Sequence, residues 1–330
     1  YWGVTPGGNW EGRSILTAGA TPPPPDILDR GRRALLEARE LRTRPARDEK
    51  QLAAWNGMAL RALSAGALLL RDERYGTAVQ RLADFVGRHL VRDGDRLWRT
   101  VRDGIAHTPA FGEDYANVVD GLLAAHAATG DTEVLLLART LTDRLVADFW
   151  DEASGTLFDT SGEHELTVAR PQSLIDSATP AANSVAADVL MRLALLTGEA
   201  DYDRRARSIL RAVAPALDRQ PSLFGRMLCA VDRSLGSPAD AVIAAADARD
   251  PRAGTLRESV ARPFAPNLVI ASVEPESATA DWPVFVAKSP IGGRPTAYVC
   301  RGYACETPTS DADLAATQVE RVAPGRSLSP

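Results

Sequence analysis

Three short stretches hold the residues best suited to chemistry. Residues 44–63, R-P-A-R-D-E-K-Q-L-A-A-W-N-G-M-A-L-R-A-L, carry Arg47, Asp48, Lys50, Trp55 and Asn56 into an almost wholly apolar segment. F-G-E-D-Y supplies Glu113, Asp114 and Tyr115, and D-S-A-T-P-A-A-N-S supplies Asp176, Thr179, Asn183 and Ser184. Each again leads into an apolar run, and buried helices carry such groups only where partners exist. Carboxylates move protons, cations and amides hold hydroxyls, and aromatic faces stack on pyranose rings, so the set suits a sugar site. Asp48, Glu113, Asp114 and Asp176 are the acid/base candidates. Arg47, Lys50, Asn56, Thr179, Asn183 and Ser184 are the polar contacts, and Trp55 and Tyr115 the stacking platforms. A plainer reading stands beside this one. Asp48, Asp114 and Ser184 sit where helix N-caps belong, and Trp55 on an apolar helix suits a core. Capping alone does not call for Arg47, Lys50 or Glu113.

Other chemistries have less support. His89, His107, His126 and His164 lack paired spacing, so no metal site is expected, and no glycine-rich nucleotide-binding pattern occurs. Nothing calls for a cofactor. Cys300 and Cys305, in Y-V-C-R-G-Y-A-C, are a possible redox couple, metal ligands or inert small residues, while Cys229 is expected in the core. Three cysteines argue against a disulfide scaffold and fit a reducing, cytoplasmic setting. A net charge of −5 spread along the chain gives no nucleic-acid face, and no apolar run reaches a membrane span's length. The arginines, at helical spacing beside acids, read as solvated outer faces. The chain opens on Tyr1 in Y-W-G-V-T-P-G-G-N-W-E-G, which reads as the middle of a longer protein.

The elements that must position these residues repeat. Residues 1–25 read as an irregular, Pro-rich linker, and 27–41 as a helix capped by Asp26, with Ile27, Leu28, Ala34, Leu35 and Ala38 as its stripe. Three apolar helices follow, over 52–70, 115–128 and 183–196. Their amphipathic partners cover 75–91, 133–150 and 202–217, with a further inner helix over 223–235. D-G-D-R-L-W-R-T and S-G-T-L-F-D-T read as matching extended pieces. Alternating buried and half-buried helices suit an α/α toroid better than an open solenoid. Successive hairpins would then bring the three polar stretches to one mouth. After Gly236 the pattern turns to α/β, with strands over 241–246, 268–273, 283–287 and 296–300 and a helix over 252–261. The fold class expected is therefore mainly α: a partial α/α toroid over 26–236 and a small α/β appendage over 237–330.

R-P-A-R-D-E-K-Q-L-A-A-W-N-G, F-G-E-D-Y-A, F-W-D-E with G-T-L-F-D-T, A-T-P-A-A-N-S-V-A-A and P-T-A-Y-V-C-R-G-Y-A-C, in that order, resemble the thioredoxin domain-containing proteins of the YyaL and spermatogenesis-associated protein 20 family. The opening Y-W-G-V-T and G-N-W-E-G fit as well. The resemblance implies an N-terminal thioredoxin-like domain followed by an (α/α)6 barrel similar to six-hairpin glycosidases and N-acylglucosamine 2-epimerases. This sequence lacks that first domain and the first barrel hairpins. The resemblance implies sugar-related ancestry, with epimerisation or glycoside hydrolysis as the reactions. The three polar stretches contain no His, which tilts the expectation towards a hydrolase-like site. The alternative is a non-catalytic scaffold or partner-binding barrel for the thioredoxin-like domain, with Cys300 and Cys305 in its redox circuit.

Overall fold

The computed structural model describes residues 1–165, 168–302 and 304–323. It divides into two compact units, Tyr1–Glu49 and Lys50–Pro330.

In the first unit the Asn9 side chain clasps Ile15, accepting from its N–H (2.7 Å) and donating to its carbonyl (2.8 Å). Helix α1 (Pro25–Glu40) follows. The expected Asp26 cap is displaced: Pro24 holds the capping position, and Pro25, whose ring presets a helical φ, begins the helix. Asp26 falls in the first turn, and none of the α1 stripe is buried.

The second unit begins with strand β1 (Gln51–Leu52) and helices α2 (Ala53–Leu69) and α3 (Glu73–Phe85), the latter capped by the Asp72 carboxylate on the Arg74 N–H (3.0 Å). Strands β2 (Val91–Arg92), β3 (Arg96–Arg102) and β4 (Ile105–Pro109) join β1 in an antiparallel sheet of order β1-β3-β2, with β4 also on β3. Helices α4 (Gly112–Thr129) and α5 (Thr132–Phe149) come next. The short pair β5 (Trp150–Asp151) and β6 (Thr156–Leu157) leads on to α6 (Ala182–Thr197), α7 (Ala200–Arg219) and α8 (Gly225–Leu235). Both extended pieces expected from the sequence contribute strands, β3 and β6.

Helix α2 departs from the expectation of a wholly buried inner helix, burying only Ala53, Ala54, Gly57, Leu60 and Ser64. Helices α4 and α6 are buried along nearly their whole length, whereas α5 and α7 bury single stripes such as Leu135, Ala138, Leu141 and Leu145. Gly130 and Gly198 end α4 and α6 in the left-handed region (φ +78° and +76°), which a residue without Cβ adopts at no steric cost. Helix α2 packs on α4, α4 on α6 and α6 on α8, while α3, α5 and α7 pair with α2, α4 and α6. The approach of α2 to α4 is close because Gly57 and Gly121 face it. A methyl on Gly57 would overlap the Asn117 carbonyl, and one on Gly121 the Gly57 carbonyl.

The C-terminal part holds β7 (Ala239–Ala244), α9 (Pro251–Ala261), β8 (Leu268–Val273), β9 (Thr296–Arg301), β10 (Ala304–Cys305) and α10 (Ala312–Val322). The sheet order is β10-β9-β7-β8, with β7 and β8 parallel across α9 and the other pairs antiparallel. Its alternation is clean. Val242, Ala244, Tyr298 and Cys300 join the helical core, and Ala241, Ile243, Ala297 and Val299 join a second core with α9 and α10.

Two further expectations are corrected and one helix is new. Residues 283–287 form turns rather than a strand, with Trp282 and Phe285 as the buried anchors. Helix α10 was not expected. Cys229 lies on the exposed side of α8, whose buried stripe is Met227 and Ala230.

Candidate functional site

At the inner-helix starts, much of the bonding capacity of the polar groups is spent on building the fold. Asp114, in the first turn of α4, accepts from the Ala54 N–H of α2 (3.1 Å), the Phe111 N–H (2.9 Å) and Arg99 Nη1 (3.0 Å). Leu52, at the start of α2, makes no cap of its own, so Asp114 satisfies an orphan donor of a neighbouring helix. Asp176 does the same for α8. It accepts from the Arg226 (2.8 Å) and Met227 (3.2 Å) N–H groups there and from the Ala181 N–H (2.9 Å) before α6. Asn183 accepts from the Leu157 N–H (2.8 Å) and donates to the Leu157 (3.0 Å) and Ser173 (3.1 Å) carbonyls, tying α6 to β6. The Tyr115 hydroxyl accepts from the Leu97 N–H (3.0 Å) and its ring is core. Ser184 is fully buried in α6, its hydroxyl without a hydrogen-bond partner.

The remaining candidates are placed differently. Arg47 and Asp48 belong to the first unit, where Arg47 donates to Glu49 (2.5 and 2.7 Å). Lys50 is exposed at the start of the second unit, Asn56 donates to the Leu52 carbonyl (2.8 Å), and Trp55 is 61% exposed rather than core.

A cavity of about 430 Å³ opens at the N-terminal ends of α4 and α6. Of the expected residues it takes Glu113 and Thr179, and it adds Arg99, Phe111, Asp159 and Ser173. Arg99 donates to Glu113 (2.9 Å) as well as to Asp114, and its guanidinium lies 4.5 Å from the Phe111 ring centre. His164 meets that ring too (4.4 Å) and faces the Pro109 carbonyl through Nε2 (3.1 Å). Asp159 accepts from the Ser173 N–H (2.9 Å) and hydroxyl (2.6 Å). The cavity therefore carries two half-exposed carboxylates, one guanidinium and four hydroxyls, those of Thr160, Ser173, Ser177 and Thr179. Burial pushes the Asp114 carboxyl behind it up to about 6, against the pull of Arg99 and the two backbone N–H groups. Asp159 was missed because G-T-L-F-D-T reads as a structural extended piece. Its only signal was an acid next to an aromatic at the end of that piece.

A second polar centre lies among the inner helices. Asp120 on α4 and Asp188 on α6 are buried midway along apolar helices. Arg61 (2.5 Å) and Arg192 bind Asp120, Arg233 (2.5 Å) and Arg226 (2.9 Å) bind Asp188, and Arg192 and Arg226 each reach the second carboxylate (3.1 and 3.3 Å). Burial alone would raise both carboxyls, but the surrounding guanidiniums hold them below the usual carboxylate range. Reading the arginines as outer-face residues hid this cluster. Among the described residues no group of three His, Cys, Asp or Glu gathers as a metal site would, and no helix is long and apolar enough to cross a membrane.

Paired helices with polar inner ends, joined to a small α/β sheet, define a mainly α protein. No family model matches the sequence. Human and rat spermatogenesis-associated protein 20 are each 32% identical to it over 302 residues, which is 86% of this chain and 38% of theirs. An uncharacterized protein of Caenorhabditis elegans is 26% identical over 294 residues, 85% of this chain and 39% of its own. Over this matched segment the chain's relatives include spermatogenesis-associated protein 20 of three mammals, the family its motifs resemble. It spans less than two fifths of the length of those relatives. A solved structure of a UGL variant with dGlcA-Glc-Rha-Glc aligns with 51% of this chain and 47% of its own at 16% identity and a TM-score of 0.41, too distant to bear on fold or chemistry.

Proposed function

We propose that the arc of helical hairpins is a partial (α/α)6 toroid of the six-hairpin glycosidase kind, and that the cavity at its α4 and α6 ends binds a sugar-like molecule. The observation that carries this reading is the cavity's own lining. Glu113, Asp159 and Arg99 stand beside the hydroxyls of Ser173 and Thr179 in a space of about 430 Å³, on the small side of typical ligand pockets. Carboxylates accept from ring hydroxyls, and the guanidinium donates to them. Hydrolysis further requires two carboxyls facing the ligand, one to protonate the leaving oxygen. Glu113 and Asp159 are the pair that borders the cavity. Asp114 and Asp176, which accept backbone N–H groups or Arg99 and do not line the cavity, are positioning groups in this reading.

The test is a thermal-shift screen of neutral sugars, uronates and N-acyl amino sugars against the chain and its Asp159→Asn and Thr179→Val variants. A ligand that binds only the folded form raises the melting temperature in a saturable way. The expected result is such a shift with at least one class, weakened in both variants. No saturable shift with any class overturns the reading and leaves the non-catalytic scaffold in its place.

A further inference from the structure

Cys300 and Cys305 are register partners on β9 and β10 and are joined by a disulfide, with Cα atoms 3.9 Å apart. Strand β10 is the edge of its sheet. The two residues have opposite surroundings: Cys300 is 1% exposed, among helical-core residues, whereas Cys305 is exposed. We propose that this pair is a thiol–disulfide exchange site whose co-substrate is a dithiol.

Exposure decides which sulfur is attacked. A thiolate of the dithiol reaches the Cys305 sulfur, forms a mixed disulfide there, and the Cys300 sulfur leaves with the electron pair of the broken bond. The second thiol of the same reagent then attacks its own bound sulfur and frees Cys305. The reagent departs as a disulfide. Two electrons have passed to the protein, and the two protons of the dithiol end on Cys300 and Cys305. Exchange rates follow access to the attacked sulfur, and exposed disulfides are commonly the labile ones.

The surrounding hydrogen bonds make the cycle reversible. Beyond Cys305 the chain stays tied to β9 by the Glu306 N–H on the Val299 carbonyl (2.9 Å). The reciprocal pair between Ala297 and Thr309 adds two more bonds (2.7 and 3.1 Å). Helix α10 packs on β9 and α9 through Ala315, Val319 and Val322. None of these contacts needs the disulfide, so the reduced hairpin keeps its thiols adjacent and reoxidation is intramolecular.

The experiment uses the chain carrying Cys229→Ser, which removes the exposed third thiol. It is equilibrated at pH 7 without denaturant in dithiothreitol and in graded glutathione buffers, acid-quenched, alkylated and weighed, with circular dichroism alongside. The expected result is complete, reversible uptake of two alkyl groups with an unchanged spectrum. In a second arm, Cys300→Ser and Cys305→Ser are added separately to that background and exposed to oxidised glutathione. The free Cys305 should form its mixed disulfide at least about tenfold faster than the free Cys300, as thiol access dictates. A disulfide that opens only in denaturant overturns the proposal whatever the variants do. So do equal rates at the two cysteines in folded variants.

Discussion

Asp120 and Asp188, on neighbouring buried helices, are held by the same two guanidiniums, those of Arg192 and Arg226. This shared clamp joins α4, α6 and α8 where their apolar surfaces alone would allow sliding. Removing one carboxylate strands buried cations, so Asp188→Ala should destabilise the chain by about 3–5 kcal/mol. Urea denaturation checks this, and a loss within about 1 kcal/mol would mean that the arginines relax to water.

The clamp and Asp114 should respond to pH in opposite directions. Asp120 and Asp188 lie below their unfolded values, so their contribution is complete above about pH 4 and is lost as the carboxyls protonate in acid. Asp114 is raised from 3.8 to about 6, so its folded form holds a proton that the unfolded chain has released. Its contribution is full below about pH 4 and declines as pH rises towards 6, by on the order of 2–3 kcal/mol. Denaturation midpoints measured from pH 4 to 7 should show that decline in the wild type and a flatter profile in Asp114→Asn. Superimposable slopes would place the proton elsewhere.

The contact between α2 and α4 predicts a steep response to one methyl group. Gly57→Ala presses on the backbone of Asn117, which cannot rotate away as a side chain can. A loss of about 1–3 kcal/mol is expected from overpacking of this kind. Gly76→Ala, on α3 with open space around it, is the control and should change stability little or raise it slightly. Comparable midpoints for the two variants would contradict the packing account.

The positions of most helices were written in the sequence because burial leaves a periodic trace. Helices α2 to α8 fall where the apolar runs and their amphipathic partners placed them, and β8 matches its L-V-I-A-S-V run. The polar chemistry was legible only in part. Asp114, Asp176 and Asn183 stood out in the sequence as acid/base or ligand-contact candidates, and the structure shows Asp114 and Asn183 buried and Asp176 half-buried, all three bonded to backbone groups. A sequence cannot tell whether such a group faces a ligand or the N–H of a helix sixty residues away, as Asp114 faces Ala54. Arg226 and Arg233 share the composition of solvated arginines, and only the meeting of α6 with α8 turns them inward onto Asp188. Trp55 and Cys229 went the other way, apolar by type and exposed by position.

The most direct test of the central claim is to map where a sugar binds. Hydrogen exchange on the chain, with and without the sugar giving the largest thermal shift, reads this residue by residue. Protection is expected in the turn before α4 around Phe111–Glu113 and in the loop around Ser173–Thr179, with little change at α3 or α10. Protection confined to other surfaces, or none at a saturating concentration, would contradict a sugar site at the α4 and α6 ends.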